Sequence, residues 1–366
     1  MSDLTGIAGQ FAFPGKIVSL VEYGSGNVND TYLVASKEHG AAFRFILQRI
    51  NSTVFPRPEC IMHNLRILSD HALAKLAAAG DVSWKFPAII PCRSGLDFYR
   101  DAQGGFWRAL RFIADTECFS TIRDSGQAFE AGRALGFFHA LIRDLPPHLL
   151  HDTLPGFHVT PSYLARYEEV AAAPPRPDPS EEALFCRNFI AERREMAGVL
   201  EEAKIRGELL PCPIHGDPKL TNILFDKKSG RAVSLIDLDT TKPGLLHYDI
   251  GDCLRSCCNS TGEDAPLEAV RFSLSHCAAI LRGYLPQVAG FFSPYDHQYI
   301  FAAVRLLTFE LGLRFFSDHL AGDLYFKTQY PGHNLRRACV QFLLCRSIEA
   351  QEAEIRAIVA EIAGHA

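Results

Sequence analysis

Branched and aromatic residues gather in short runs within the first fifty residues, the last of which, 43–50, alternates imperfectly. Segments 17–23 (IVSLVEY) and 31–35 (TYLVA) flank the polar stretch Gly24-Ser25-Gly26-Asn27-Val28-Asn29-Asp30. Segment 43–50 (FRFILQRI) is rich in aromatic and branched side chains. These patterns predict three strands, the first two joined by the polar turn. Segments 88–91 and 106–113, on either side of the turn-like 101–105, predict a further pair. Between 58 and 79 the period changes, and Ile61, Leu65, Leu68, Leu73 and Leu76 recur near helical spacing. The first third is therefore expected to be a mostly antiparallel sheet with one inserted helix.

The remainder reads as mainly helical. Ser125 is placed to cap a helix running to about Arg143, with Phe129, Leu135, Phe138 and Leu141 on its apolar side. Segment 171–180 (AAAPPRPDPS) is a loop, because its prolines sustain neither a helix nor a ladder. Helices are expected at 181–207, 264–284, 296–320 and 335–363. Between them lies a β-rich island, 223–225 and 233–238, joined by the turn 226–230. No internal repeat is present. The expected organisation is a β-rich lobe over 1–112 and a larger, mostly helical lobe over 113–366, an α+β protein.

Composition narrows the function classes. Charged residues make up 22% and hydrophobic residues 48% of 366 residues, the balance of a globular chain. A formal net charge of -5 with no basic stripe argues against nucleic-acid binding. No apolar run reaches the roughly 18 residues of a spanning helix, and the N-terminus lacks a secretory pattern. Eleven cysteines without a Cys-x-x-Cys pair suit reduced, mostly buried thiols, so a cytoplasmic location is expected.

The chemistry concentrates in Ile214-His215-Gly216-Asp217-Pro218-Lys219-Leu220-Thr221-Asn222, followed by Leu235-Ile236-Asp237-Leu238-Asp239. Phosphoryl transfer from ATP needs a carboxylate to orient or deprotonate the acceptor, hard oxygen ligands for Mg²⁺, and a cation near the transferring group. Asp217 suits the base and Lys219 the cation. Asn222 offers a neutral oxygen and Asp237 an anionic one to metal. His215 is read as a structural residue holding the loop. Asp249 and Asp252 are read as loop-anchoring acids.

The HGDxKxxN spacing is similar to the HRDxKxxN catalytic loop of protein kinases. With glycine after the histidine and IDLD in place of DFG, the chain resembles the aminoglycoside phosphotransferase and choline kinase superfamily. That resemblance implies a protein-kinase-like two-lobed fold with Mg·ATP between the lobes. It places Gly24, Ser25, Gly26, Asn27 and Asn29 in a nucleotide-covering loop, with Asn29 where a third glycine would stand. It places backbone groups of Arg111, Phe112 and Ile113 at the adenine edge. Gln48 falls where protein kinases hold a phosphate-binding lysine. Either Gln48 meets phosphate as a neutral donor or Arg44 or Arg49 substitutes, and Glu59 is the candidate partner on the helix.

For the acceptor, YGSGNVNDTY (23–32), FILQRIN (45–51), ELGLRFFSDHLAGDLYF (310–326) and HNLRRA (333–338) resemble bacterial N-acetylhexosamine 1-kinases. This implies a neutral sugar contacted by Arg314 and Tyr325 beside Asp217, with Asp318 and Asp323 as further polar groups. A homoserine kinase, whose substrate carboxylate arginines could clamp, is an alternative. Another small-metabolite or aminoglycoside kinase, or a nucleotide-binding module without transfer, completes the range. A small molecule is the expected partner. Neither a protein partner nor an oligomeric state is legible.

Overall fold

The computed structural model describes residues 4–24, 28–81, 83–173, 178–264 and 266–364. Ser25, Gly26 and Asn27 of the expected nucleotide-covering loop lie outside the described residues.

After a short helix α1 (Leu4–Ala8), strands β1 (Lys16–Glu22), β2 (Asp30–Glu38) and β3 (Ala41–Ile50) form an antiparallel meander. The β2–β3 connection is the two-residue turn His39-Gly40, both at positive φ (48° and 85°), which extends both strands beyond their expected ends. A mirror-image turn of this kind matches the twist of the paired strands. Helix α2 (Pro58–Ala79) is inserted next, then β4 (Ile89–Ile90), β5 (Tyr99–Arg100) and β6 (Phe106–Arg111). The sheet order is β1-β2-β3-β6-β4, with β5 also on β6.

One sheet face is dry. Val34, Phe45, Leu47, Trp107, Ala109 and Ile90 pack there beneath Ile7, Ala8, Phe11 and Phe13 of the N-terminal segment. Cross-strand neighbours Thr31, Gln48 and Arg108 are polar and bond one another. On α2 the buried stripe runs Ile61, Leu65, Leu68, Ala72 and Leu76, and Leu73 is 45% exposed. Ala72, not Leu73, holds the true i+4 position after Leu68.

The helical part follows β7 (Thr116–Glu117). It comprises α3 (Ser125–Ile142), α4 (Thr160–Ala172), α5 (Glu181–Arg193), α6 (Val199–Ile205), α7 (Leu246–Cys258), α8 (Leu274–Val288), α9 (Pro294–Leu320), α10 (His333–Glu349) and α11 (Glu352–Ala363). Asp124, not Ser125, caps α3, its carboxylate accepting from Gln127 N at 2.8 Å. Phe129, expected on the apolar side, is exposed. The single helix expected over 181–207 is broken by a 3₁₀ segment, and the one over 335–363 by a break at 350–351. No pattern announced α4 or α7. Helix α7 is buried almost all round, its charged side with Asp249, Asp252 and Arg255 included.

Four short strands hold the two motifs together. β8 (Cys212–Ile214) enters the loop 215–222, β9 (Ile223–Asp226) and β10 (Ala232–Leu235) form the hairpin after it, and β11 (Lys242–Gly244) returns beside β8. Beneath them α3 and α8 touch backbone to backbone. A Cβ on Gly132 would lie 2.0 Å from the Ile280 carbonyl oxygen, and one on Gly283 2.2 Å from that of Phe129. No rotamer change relieves a clash with main chain. Gly132→Ala is therefore expected to cost ~2–3 kcal/mol or more in a urea titration, on the scale of core overpacking. An unchanged unfolding midpoint would contradict this close approach.

Candidate active site

The loop 215–222 is held from three sides. Asp249, in the first turn of α7 and fully buried, accepts from His215 N at 2.7 Å and Gly216 N at 2.8 Å. His139 Nε2 on α3 reaches the same carboxylate at 2.8 Å. Gly216 has φ +88°, and a Cβ there would sit 2.6 Å from the Thr240 carbonyl oxygen. Only glycine fits.

The His215 ring joins the two motifs. Its Nδ1 accepts from Asp217 N at 3.2 Å, so Nε2 carries the proton donated to the Ile236 carbonyl at 3.1 Å. Burial pushes its pKa down and keeps the ring neutral. A second histidine supports the loop from below. His158 Nε2 donates to the Gly216 carbonyl at 2.7 Å, and Nδ1 lies 2.9 Å from Glu310 Oε1 on α9. Burial alone would lower its pKa, but the Glu310 carboxylate outweighs that and raises it. Thr160 Oγ1 donates to the other Glu310 oxygen at 2.7 Å. The pairing of His158 with Glu310 carried no motif in the sequence, because the two lie 152 residues apart.

Within this frame Lys219 Nζ donates to Asp217 Oδ2 at 2.6 Å. Asn222 Nδ2 donates to Asp217 O at 2.8 Å and to Oδ2 at 3.2 Å. Asp217 Oδ1 is left without a partner among the described residues. Burial would lower the Lys219 pKa, but Asp217, Asp237 and Asp252 together raise it, so the ammonium stays charged. Asp252 is buried against Arg255 at 2.8 Å within α7 itself, so its hydrogen bond is to its own helix and not to the loop it was expected to anchor.

Asp237 sits at φ 65°, ψ 55°, and its carboxylate makes no hydrogen bond to a described residue. Loss of solvation, then the neighbouring Asp239 and Asp217, push its pKa up to about 6. The residues fit a divalent cation. The Asn222 amide nitrogen is committed, which leaves its oxygen available, and the carboxylates crowd until a positive charge relieves them. Among the described residues no group of three or more His, Cys, Asp or Glu converges on a metal. Mg²⁺ held through one carboxylate, one amide and phosphate oxygens needs none.

The expected acceptor residues Arg314 and Tyr325 both flank the Phe326 ring. The Arg314 guanidinium lies 5.0 Å from the Phe157 ring, 5.1 Å from Tyr163 and 5.5 Å from Phe326. It forms no ion pair or hydrogen bond with a described residue. Burial would lower its pKa, but Tyr163, Tyr325, Glu310 and Asp217 raise it, which places it within electrostatic reach of Asp217. The Tyr163 hydroxyl is also unbonded among the described residues, and burial raises its pKa. Tyr325 stands half exposed beside Phe326. Asp318 is an organiser of this wall. Its carboxylate accepts from the backbone N of Leu324, Tyr325 and Phe326 at 2.8–2.9 Å, and Asn334 Nδ2 bridges it to Asp323.

On the nucleotide side the residues separate. Arg111 N and Phe112 N are consumed by the Ala88 and Arg44 carbonyls, at 2.8 and 3.3 Å. Ile113 N has no partner among the described residues, so it is the free donor of the three. Gln48 Oε1 accepts from Arg108 rather than facing open space, and Asn29 Nδ2 bonds Asp239 at 2.8 Å. Arg44 stacks over Phe112 at the surface and Arg49 is exposed. Glu59 pairs with Arg100 at the surface, far in role from any β3 cation.

The sequence profile described as the phosphotransferase enzyme family, APH, matches residues 19–284. An aminoglycoside phosphotransferase from Alicyclobacillus acidocaldarius superposes with a TM-score of 0.65 at 14% identity, over 97% of this chain and 96% of that one. A choline kinase from Cryptosporidium parvum gives 0.57 at 14% identity, over 97% and 96%. A spectinomycin phosphotransferase in complex with ADP and spectinomycin gives 0.50 at 12%, over 89% and 93%. At these identities the likeness establishes the fold, which is the two-lobed protein-kinase-like one. No helix among the described residues is long and apolar enough to cross a membrane.

The raised Asp237 pKa has a sign that can be checked. A carboxyl at about 6 in the fold, against an ordinary 3.8, destabilises the metal-free protein above pH 6 and no longer does so below 3.8. Asp237→Asn should therefore raise the metal-free melting temperature at pH 7.5 by ~1–4 °C, a modest figure because the residue still borders solvent although the surrounding protein strips part of the carboxylate's hydration. The gain should vanish near pH 4, and Mg²⁺ should stabilise wild type more than the variant. Scanning calorimetry at both pH values decides it; a pH-independent difference would contradict the assignment.

Proposed function

Because the chain belongs to the phosphotransferase enzyme family that its residues 19–284 match, we propose that it is an ATP-dependent kinase whose acceptor is the anomeric hydroxyl of an N-acetylhexosamine. The observation that carries this reading is the position of Asp217. One of its oxygens is tied to Lys219 and Asn222, the other has no partner among the described residues, and its charge acts on the unbonded Arg314, which stacks near the Tyr163 ring. The complex of a related fold with ADP favours an adenine nucleotide as donor.

Asp217 Oδ1 would accept the hydroxyl proton as the acceptor oxygen bonds to the γ-phosphorus and the bond to the β,γ-bridging oxygen breaks, releasing ADP. Lys219 would offset charge on the transferring group, and Asn222 and Asp237 would hold metal. Mg²⁺, when bound, supplies charge neutralisation at the phosphates. The tie of Lys219 to Asp217 also keeps the carboxylate in one orientation before the acceptor arrives.

Substrate class follows from what already fills the aromatic wall. Phe157, Tyr163 and Phe326 would make a box for a quaternary ammonium, but Arg314 occupies it. A choline-like or polycationic acceptor would meet a like charge. A neutral sugar suits fixed polar groups beside an apolar wall, and the stretches around Gln48, Arg314 and Tyr325 resemble N-acetylhexosamine 1-kinases. A homoserine kinase is the second reading, favoured by the same unpaired guanidinium, which suits a carboxylate.

³¹P NMR with Mg·ATP and separate N-acetylglucosamine, N-acetylgalactosamine and homoserine tests the assignment. A phosphate coupled to an anomeric proton is expected; an alkyl phosphate formed with homoserine alone would replace the acceptor. Asp217→Asn should lower kcat by ~10²-fold or more without loss of ATP binding. Arg314→Met should raise the acceptor KM ~10-fold or more and leave that of ATP unchanged. Near-normal turnover in the first variant would remove Asp217 as base.

A further inference from the structure

Gln48 stands where a kinase lysine would be, yet a buried cation occupies the neighbouring strand. Arg108 on β6 is only 2% exposed. Its Nε and Nη2 both donate to Gln48 Oε1, at 3.0 and 2.8 Å, while Gln48 Nε2 donates to Thr31 Oγ1 at 3.0 Å. Arg108 Nη1 lies 2.6 Å from Asp239 Oδ1, a charge-to-charge contact more than a directed hydrogen bond. The other Asp239 oxygen accepts from Asn29 Nδ2 at 2.8 Å, and Asn29 Oδ1 accepts from Asn51 N at 3.0 Å. Thr153 Oγ1 closes the set on the Asp239 backbone carbonyl at 2.6 Å.

We propose that Arg108 replaces the missing β3 lysine as a positioning residue: through Asp239 and Asn29 it latches the sheet and the end of the nucleotide-covering loop to the turn bearing Asp237. The inference rests on the nucleotide-binding reading above. Three physical points support it. A guanidinium this buried, with all three nitrogens engaged, is not a phosphate ligand, so its effect passes through its partners. Asp239 lies two residues from Asp237 and would be a competing metal ligand, but Arg108 and Asn29 commit both its oxygens. Gln48 then has a reason to be neutral. A lysine there would set two cations at adjacent cross-strand positions and remove the acceptor for two Arg108 N–H groups, leaving a buried charge poorly compensated. The departure at position 48 and the arginine at 108 are one feature.

The test is equilibrium titration of the full chain with a fluorescent ATP analogue and Mg²⁺, without acceptor. Arg108→Met and Gln48→Lys should each weaken binding ~10-fold or more, on the scale of truncating a buried charge pair. The double variant Arg108→Met/Gln48→Lys should regain most of the loss, because the new lysine can pair with Asp239. In turnover the KM for ATP should rise while that for the acceptor stays put, a split that general destabilisation would not produce. Gln48 is only half buried, so Gln48→Lys decides the matter should Arg108→Met fail to fold. Gln48→Lys binding the analogue as tightly as wild type would overturn the latch. So would Asp239→Asn losing Mg²⁺ dependence while Arg108→Met is neutral, which would make Asp239 a metal ligand. Wild type that binds no nucleotide overturns both the latch and the kinase reading. Wild type that binds nucleotide yet phosphorylates none of the acceptors tried removes the acceptor assignment alone; the titration result for the variants then judges the latch.

Discussion

The Asp249 carboxylate is the contact on which the site depends. It takes the backbone N–H groups of His215 and Gly216 and the His139 ring in a fully buried position. Hydrogen bonds to a charged group are each worth ~1.5–3 kcal/mol, and their geometry is directional. Together with the His158–Gly216 bond and the closeness of Thr240, they leave the loop one conformation. Everything downstream inherits that rigidity: the His215 ring reaches the second motif at Ile236, and Asp217 emerges with a defined orientation.

Charge is distributed around this frame so that different tasks draw on different groups. Lys219 shares its charge with Asp217 and its neighbours, Arg108 is spent on Asp239, and Arg314 is left without an acidic partner among the described residues. The first would serve transfer, the second would order the nucleotide side, and the third would face the acceptor. Asp237 is the cost of the arrangement. Its raised pKa means that the metal-free protein tolerates a crowded carboxylate at neutral pH, a local instability of the kind that functional sites carry.

Strands β1, β2 and β3 and the main helices were legible from their branched and aromatic runs or their helical spacing, and the hairpin β9–β10, whose second strand is buried throughout, from the polar turn between two apolar runs. Asp217, Lys219, Asn222 and Asp237 were legible for another reason. They lie on two short segments joined by one hairpin, so their spacing survives as a motif. The reading of Asp249 as an anchor came from the same local logic, and the structure puts it under the loop. By contrast α7 buries its charged side as well as its apolar one, so its period marks no exposed face, and Leu73 sat at a position whose exposure depended on how α2 was rotated.

What sequence alone determined, then, was the type of fold and which contiguous residues are candidates for its chemistry, since backbone periodicity and short-range spacing are properties of the chain itself. Tertiary structure decided which distant groups complete that chemistry. His158 meets Glu310, Arg108 meets Gln48 and Asp239, and Tyr163 meets Arg314, through separations of 60 to 152 residues where a partner is hydrogen-bonded. Such meetings are set by how helices and sheet pack, and a side chain's partner across a core leaves no period in its own segment. The role of Gln48 is the clearest case. In the chain it is a missing lysine, and in the fold it is the acceptor that an arginine on the next strand requires.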